Sequence, residues 1–141
     1  MTAAEILKKF KLNRTHCRVL VLEQLMRSEK ALSQQELDQS LRPLCNRSTL
    51  YRILNTLEQK GILLRIAIEE NNKYYFDQSL LDKPEDQLNF VFFHCARCND
   101  VIPMQPIKKE GITLPEGFTM KEQHFVIRGI CKQCNRENYI K

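Results

Sequence analysis

Leu50, Ile53, Leu54 and Leu57 recur at i, i+3, i+4 and i+7, the spacing that lays one apolar stripe along a helix. At about 100° per residue, Ser48, Arg52, Asn55 and Gln59 turn to the opposite side, with Thr49 and Tyr51 on the flanks. Asn46 is placed to cap the start, and Gly61 to take the left-handed residue that ends the helix. An outward face of Ser, Thr, Tyr, Arg and Asn is short of carboxylates. Such side chains bond phosphates and base edges, and a major groove admits one helix. An ordinary solvated helix face accounts for the same pattern, so the flanking sequence has to decide.

Upstream, residues 3–10 form a short amphipathic pattern with Ile6, Leu7 and Phe10 on one side. Thr15 is a candidate N-cap for a second helix carrying Val19, Leu22, Leu25 and Met26 at helical spacing. Ser33 and Glu36 make a capping box that opens a third helix over 33–41, and Pro43 stops it. The stretch at 46–61 follows after a short turn, which is helix-turn-helix order. Beyond Gly61, residues 62–68 read as a strand, 69–72 as a polar turn and 73–76 as the returning strand. Three helices and a hairpin are the order of a winged helix, and that context favours DNA binding.

Residues 78–87 are polar and contain Pro84, the best linker in the chain. A β pattern follows at 90–95, 101–102 and 119–130, punctuated by Pro103, Pro106 and Pro115. The predicted fold class is α+β, with a winged helix over 1–77, a linker over 78–88 and a small second domain over 89–141.

Composition sharpens this division. The 141 residues carry a net charge of +5 and are 43% hydrophobic, enough for a core in each half. Residues 1–76 hold 13 Lys and Arg against 8 Asp and Glu, whereas residues 77–141 hold nine of each. The whole excess lies on the half with the polar-faced helix, as a polyanion partner requires. No run approaches the ~18 apolar residues of a membrane span, and no apolar segment follows the N-terminal charges. The cytoplasm is the expected compartment, with no membrane partner, and six cysteines there read as thiols or metal ligands more readily than disulfides.

Four of the six form two motifs, Cys95-Ala-Arg-Cys98 and Cys131-Lys-Gln-Cys134, with 32 residues between them. Two residues between cysteines let both thiolates of a knuckle reach one ion. Two knuckles complete a tetrahedral sulfur site, for which Zn²⁺ is the usual occupant. Asn99 and Asn135 follow the pairs and are expected in the left-handed conformation that such turns need. The gap is long for a compact ribbon, so a sheet must bring the knuckles together. The alternatives are a disulfide and a dithiol redox centre. A reactive CxxC wants a helix N-terminus, and neither pair obviously opens a helix. Cys17, in the second helix, and Cys45, before the fourth, read as small buried or half-buried residues with a redox role open. His16 reads as an exposed first-turn residue, and His94, beside Cys95, leaves a ligand role open.

Arg14-Thr15-x-x-Arg18, Leu32-Ser33-x-x-Glu36-Leu37, Ser48 to Leu54 with Leu57 and Gly61, both CxxC pairs, and Gly117-Phe118 through His124 to Gly129-x-Cys131 together resemble the ferric uptake regulator (Fur) family. The resemblance covers nearly the whole chain in order. It implies a homodimeric transcriptional repressor with an N-terminal winged helix, a C-terminal α/β dimerisation domain and one structural zinc held by Cys95, Cys98, Cys131 and Cys134. It also implies that Tyr51 and Arg52 contact operator DNA, with Arg14 near the backbone or minor groove. Thr15, Ser48, Thr49 and Asn55 complete the candidate DNA-binding set.

The chain departs from the family where sensing is expected. Members usually carry a His-rich run, H-H-x-H, shortly before the first CxxC, and here those places hold Asn89, Phe90 and Phe92. The carboxylate that usually follows the Tyr of the second wing strand is replaced by Tyr75. Of the usual regulatory ligands His124 alone survives, and a single imidazole binds a divalent metal weakly. The expected protein is a Fur-like repressor that binds a pseudo-palindromic operator and lacks the standard regulatory Fe²⁺, Mn²⁺ or Zn²⁺ site. A site rebuilt from His124 with Glu122, Glu85, Asp86 or His94 is the competing idea. The alternative of another class is a zinc-ribbon protein-interaction module whose winged helix reads no specific DNA. No paired carboxylates, nucleophile elbow or phosphate-binding loop suggests an enzyme, and Gly occurs only four times.

Overall fold

The computed structural model describes residues 1–81, 88–104, 113–120 and 122–138, without the side chains of Leu88, Asn89, Glu122, His124 and Asn138. The chain divides into two compact units, Met1–Leu81 and Asp82–Lys141.

The first unit begins with α1 (Ala3–Lys9) and α2 (His16–Arg27), capped by the hydroxyls of Thr2 and Thr15. A two-residue strand, β1 (Leu32–Ser33), leads straight into α3 (Gln34–Leu41). The predicted capping box is present: Ser33 Oγ accepts the Glu36 N–H, and Glu36 Oε1 accepts the Ser33 N–H at 3.1 Å. The helix α4 (Arg47–Gln59) then starts at Asn46, whose Oδ1 accepts the Thr49 N–H at 2.8 Å. It ends before Gly61, which takes φ +77°.

The predicted stripe decides how α4 sits. Leu50, Leu54 and Leu57 are fully buried and Ile53 nearly so, in one cluster with Ile6, Leu7, Leu22, Leu25 and Leu37. Each such side chain contributes about 1.5–3 kcal/mol on burial. An exposed ion pair contributes about 0–1 kcal/mol, so the apolar face fixes the helix and leaves the polar face outward.

The wing is β2 (Leu64–Ile68) and β3 (Asn71–Tyr75), antiparallel from Leu64↔Tyr75 to Ile68↔Asn71, with Glu69 at φ +51° in the turn. The return strand therefore begins earlier than the sequence pattern suggests. On its other edge β3 pairs with β1, giving the order β1-β3-β2. Two residues are too few to show an alternation, so β1 has no signature in the sequence. Its register sets Ser33 opposite Lys73, and the buried Lys73 Nζ lies 2.7 Å from Glu36 Oε1. The first unit runs to Leu81 rather than 77. Asp77 caps a 3₁₀ turn over Gln78–Leu80, and the buried Leu80 and Leu81 sit within the stretch whose polarity suggested a linker.

Cys17 and Cys45 are bonded as a disulfide, with their Cα atoms 5.8 Å apart. This corrects the expectation that all six cysteines are thiols or ligands. Packing of α2 against the turn between α3 and α4 brings together two residues whose separation of 28 in sequence hides their contact.

The second unit is a three-stranded sheet of order β5-β4-β6, comprising β4 (Leu88–Cys95), β5 (Val101–Met104) and β6 (Glu122–Gly129), followed by α5 (Lys132–Asn138). The pair β4–β5 is antiparallel and β4–β6 parallel, in register from Leu88↔Glu122 to Cys95↔Gly129. Gly129 sits at a close approach. A Cβ there would stand 3.1 Å from Phe93 Cζ, across the ladder.

Two carboxylates of the first unit, Glu36 and Asp38, have shifted titrations that can be tested. Burial raises the Glu36 pKa, but the hydrogen bonds from Lys73 and Ser33 outweigh it and hold it below the ordinary value. The hydrogen bond from Arg42, with the charges of Arg42 and Arg47, holds Asp38 below its ordinary value. A carboxylate whose folded pKa is depressed stabilises fully above its unfolded pKa, about 4, and loses that contribution as pH falls through the lower folded value. The unit is expected to hold its stability down to about pH 4 and lose it below, in urea unfolding followed by circular dichroism. Glu36→Gln and Asp38→Asn should each flatten the acid limb. Two variants with the parent's acid profile would remove the assignment.

Candidate metal centre and nucleic-acid face

The parallel pairing of β4 and β6 carries both CxxC motifs to the same end of adjacent strands. Cys95 ends β4 and opens a knuckle in which Asn99 takes φ +66°, as its position suggested, and donates its N–H to the Cys95 carbonyl at 2.9 Å. The second knuckle is built differently. Cys131 immediately precedes α5 and Cys134 lies in its first turn, so i and i+3 share a helix face. Asn135 is therefore helical, not left-handed, and the second pair does open a helix, correcting both expectations. Its N–H bonds the Cys131 carbonyl at 2.9 Å, and its side chain donates to the Ile130 carbonyl.

The four sulfurs lie within 4.8 Å of one another, with Cys98 Sγ and Cys131 Sγ at 3.9 Å. Tetrahedral Zn–S bonds of about 2.3 Å set sulfur–sulfur edges near ~3.8 Å, so the set fits zinc with little contraction. Cys95 Sγ accepts the N–H groups of Cys98 and Cys131, each at 3.4 Å, and these bonds bring its pKa down to about 6. Burial, with the neighbouring sulfurs, pushes Cys134 up to about 12. One thiolate forms readily and the last proton is held hard, because four adjacent sulfurs cannot share four negative charges without a cation.

His94 is buried, and its Nε2 lies 2.6 Å from Asn99 Oδ1. The ring pins the left-handed residue of the first knuckle instead of joining the sulfur set. At the places where the family's His-rich run falls, Phe92 is fully buried and stacks on Phe90 with ring centroids 6.1 Å apart. Phe90 pairs with His124 in the ladder. The side chains of His124, Glu122 and Asn89, and the residues Glu85 and Asp86, lie outside the described residues.

On α4 the structure turns Ser48, Tyr51 and Arg52 to solvent and leaves Thr49 and Asn55 half-buried; Arg14 and Thr15 are exposed before α2. Ser48 Oγ bonds the capping Asn46 Oδ1 at 3.0 Å, and Thr15 Oγ1 accepts the Arg18 N–H at 3.2 Å. Those two hydroxyls serve helix starts. Arg14, Tyr51 and Arg52 make no side-chain hydrogen bond or ion pair among the described residues. Sequence reasoning missed Arg47, the first residue of α4, and the buried Asp38 that steers it. Asp38 Oδ2 accepts from Arg42 Nε at 3.0 Å and lies 3.6 Å from Arg47 Nη2. The i, i+4 spacing of Asp38 and Arg42 was the available signal.

A winged helix joined to a small sheet with a four-thiol metal centre defines a class, that of transcription regulators with a metal-bearing second unit. The chain belongs to the ferric uptake regulator family, whose model matches residues 9–128. It is a DNA-binding regulator of transcription, not an enzyme. The Helicobacter pylori ferric uptake regulator, described as having three functional metal-binding sites, has a similar fold: TM-score 0.65, 20% identity, 96% of this chain and 95% of that one covered. A zinc uptake regulator solved with zinc and DNA gives 0.66 at 22% identity, over 97% and 93%. The Vibrio cholerae ferric uptake regulator gives 0.63 at 19%, over 90% and 98%. Comparison with curated proteins gives no match. No helix among the described residues is long and apolar enough to cross a membrane.

Chelation should unfold the second unit and spare the first, because the metal closes a sheet too small to hold its own ends together. Elemental analysis of purified protein should return one zinc per chain. Metal-free protein as purified, or a Cys95→Ser variant that melts with the parent, would sink the assignment.

Proposed function

We propose that the chain is a transcriptional repressor that binds an inverted repeat as a homodimer, with the first unit, residues 1–81, reading DNA and residues 89–141 dimerising around one structural zinc. The observation that carries this reading is α4, whose apolar stripe is buried while Tyr51 and Arg52 face out unpaired on a basic unit. Tyr51 and Arg52, flanked by Asn55, Thr49 and Ser48, take the base edges and adjacent phosphates. Arg14 and Thr15 take the backbone. Dimerisation is supported by β6, an edge of the described sheet that exposes Phe125, Val126 and Ile127, followed by exposed Ile130. Apolar edge strands seek a partner. A two-fold dimer presents its reading helices with opposed polarity, so the half-sites are inverted. The reading places the protein in the cytoplasm with its DNA.

The regulatory metal site of the family is absent from this reading. Phe90 and Phe92 offer no lone pairs and form a stacked, largely buried pair. Tyr75 is half-buried, and burial, aided by Asp77, raises its pKa, so it stays a neutral phenol. His124 alone supplies too little differential binding to switch the protein.

Two measurements test this. Arg52→Ala and Tyr51→Ala should each weaken operator binding by about 1–3 kcal/mol without lowering folding stability, at two chains per operator. Leu54→Ala should instead destabilise by about 2–5 kcal/mol. Equal binding of operator and random duplex by parent and Arg52→Ala would return the chain to a protein-interaction module. Separately, Fe²⁺, Mn²⁺ or Zn²⁺ added to zinc-loaded protein should leave affinity unchanged. A tenfold rise, about 1.4 kcal/mol, that vanishes in His124→Ala would show a rebuilt sensor.

A further inference from the structure

Two side chains with no part in the site stand beside the DNA-reading face. Cys17 lies in the first turn of α2, just past Arg14 and Thr15, and Cys45 immediately precedes Asn46, the cap of α4. Their Cα atoms are 5.8 Å apart, within the roughly 4.4–6.8 Å that a disulfide spans without moving the backbone. Cys45 is buried; Cys17 is half-buried, with Sγ 3.4 Å from the Leu44 carbonyl oxygen. A small oxidant therefore reaches Cys17 first, and the helix N-terminus there favours the thiolate.

We infer that Cys17 and Cys45 form a peroxide-oxidised dithiol switch, and that the disulfide form is the one that binds DNA. The inference rests on the DNA-binding reading above. A protein at chromosomal DNA works where thiols are held reduced, and disulfides formed there are transient and sensing. The bond closes a chain segment that contains α2, β1 and α3. It holds the start of α2, which carries the backbone contacts, against the turn that launches the reading helix. In the dithiol form that spacing is one of several, and DNA must select it at a cost in affinity. The bonded form is organised before binding.

The chemistry balances with hydrogen peroxide as the oxidant. The Cys17 thiolate attacks one peroxide oxygen, forming S–O and breaking O–O, and the departing hydroxide takes a proton to become water. Cys45 sulfur then attacks the sulfenic sulfur of Cys17. S–S forms, S–O breaks, and a second water leaves with the Cys45 proton. Two thiols have lost two electrons and two protons, and the peroxide has become two waters. A dithiol reductant resets the pair by exchange through a mixed disulfide.

The test uses zinc-loaded, full-length protein treated with hydrogen peroxide or with dithiothreitol. Affinity for an operator selected from random duplex is read beside peptide mass mapping and zinc content. Peroxide should yield a linked Cys17–Cys45 peptide pair with zinc retained and tighten operator binding by roughly fivefold or more. Cys17→Ser and Cys45→Ser should each stay at the reduced affinity under both treatments. Absence of the linked pair, or equal or weaker binding by the oxidised form, overturns the switch. So does a peroxide response surviving in the double serine variant, which would place it at the zinc thiols. A linked pair with no DNA binding in either form overturns the DNA reading itself, and the switch with it.

Discussion

The parallel ladder between β4 and β6 is the constraint on which the second unit depends. Without it, the two knuckles belong to separate stretches of chain with 32 residues between them. With Cys95 opposite Gly129, the strand ends lie side by side and four sulfurs fall within 4.8 Å. The dependence runs both ways. The described part of this unit is a three-stranded sheet and one short helix, and a small domain of that kind is helped by a staple. The pairing gathers the ligands, and a metal bound by them would hold the pairing. Details that look decorative serve this arrangement: the bare Gly129 beneath Phe93, and the His94 ring that fixes Asn99.

The first unit solves a different problem, which is to aim one helix. Apolar burial sets the rotation of α4, but it does not set where the helix begins. Asn46 does that by capping the first turn, and polar groups of α3 reach the helix start and the wing from one side. Asp38, buried, gathers Arg42 and Arg47 on either side of the turn, while Glu36 caps α3 and holds Lys73 of the wing strand. Through these contacts α3 ties the start of α4 and the wing strand to one element.

Much of this was legible in the sequence. The stripe Leu50-Ile53-Leu54-Leu57, the caps at Thr15, Ser33 and Asn46, and the left-handed Gly61 and Asn99 are local rules, and local rules survive into the fold. What escaped is non-local or too short to be periodic. Strand β1 is two residues long and exists because β3 lies beside it. Helix α5 begins inside a metal motif, so its first turn reads as a knuckle, and Asn135 was assigned a turn conformation it does not take. The Cys17–Cys45 bond depends on how α2 packs, which no spacing reveals. Of the candidate site, the four cysteines and the outward face of α4 were visible; Arg47 and Asp38 were not, because their relation is made across a turn.

The two sulfur sites divide the work of the molecule in a way that follows from what each element can respond to. A four-thiolate centre tied into the strand ends of its own unit is a structural bond: losing its ion would cost the sheet. It is therefore poorly placed to report small changes in metal supply. A ligand can switch a protein only through the difference in its affinity for two states. On the proposed reading, the positions that would carry such a difference for a metal are Phe90 and Phe92, which stack on one another. The pair at Cys17 and Cys45, by contrast, joins the first turn of α2 to the turn before α4, the two elements to which the proposed reading gives the DNA contacts. On the proposed switch, the response lies in the covalent state of that junction, and a metal on the four thiols would serve to hold the second unit together.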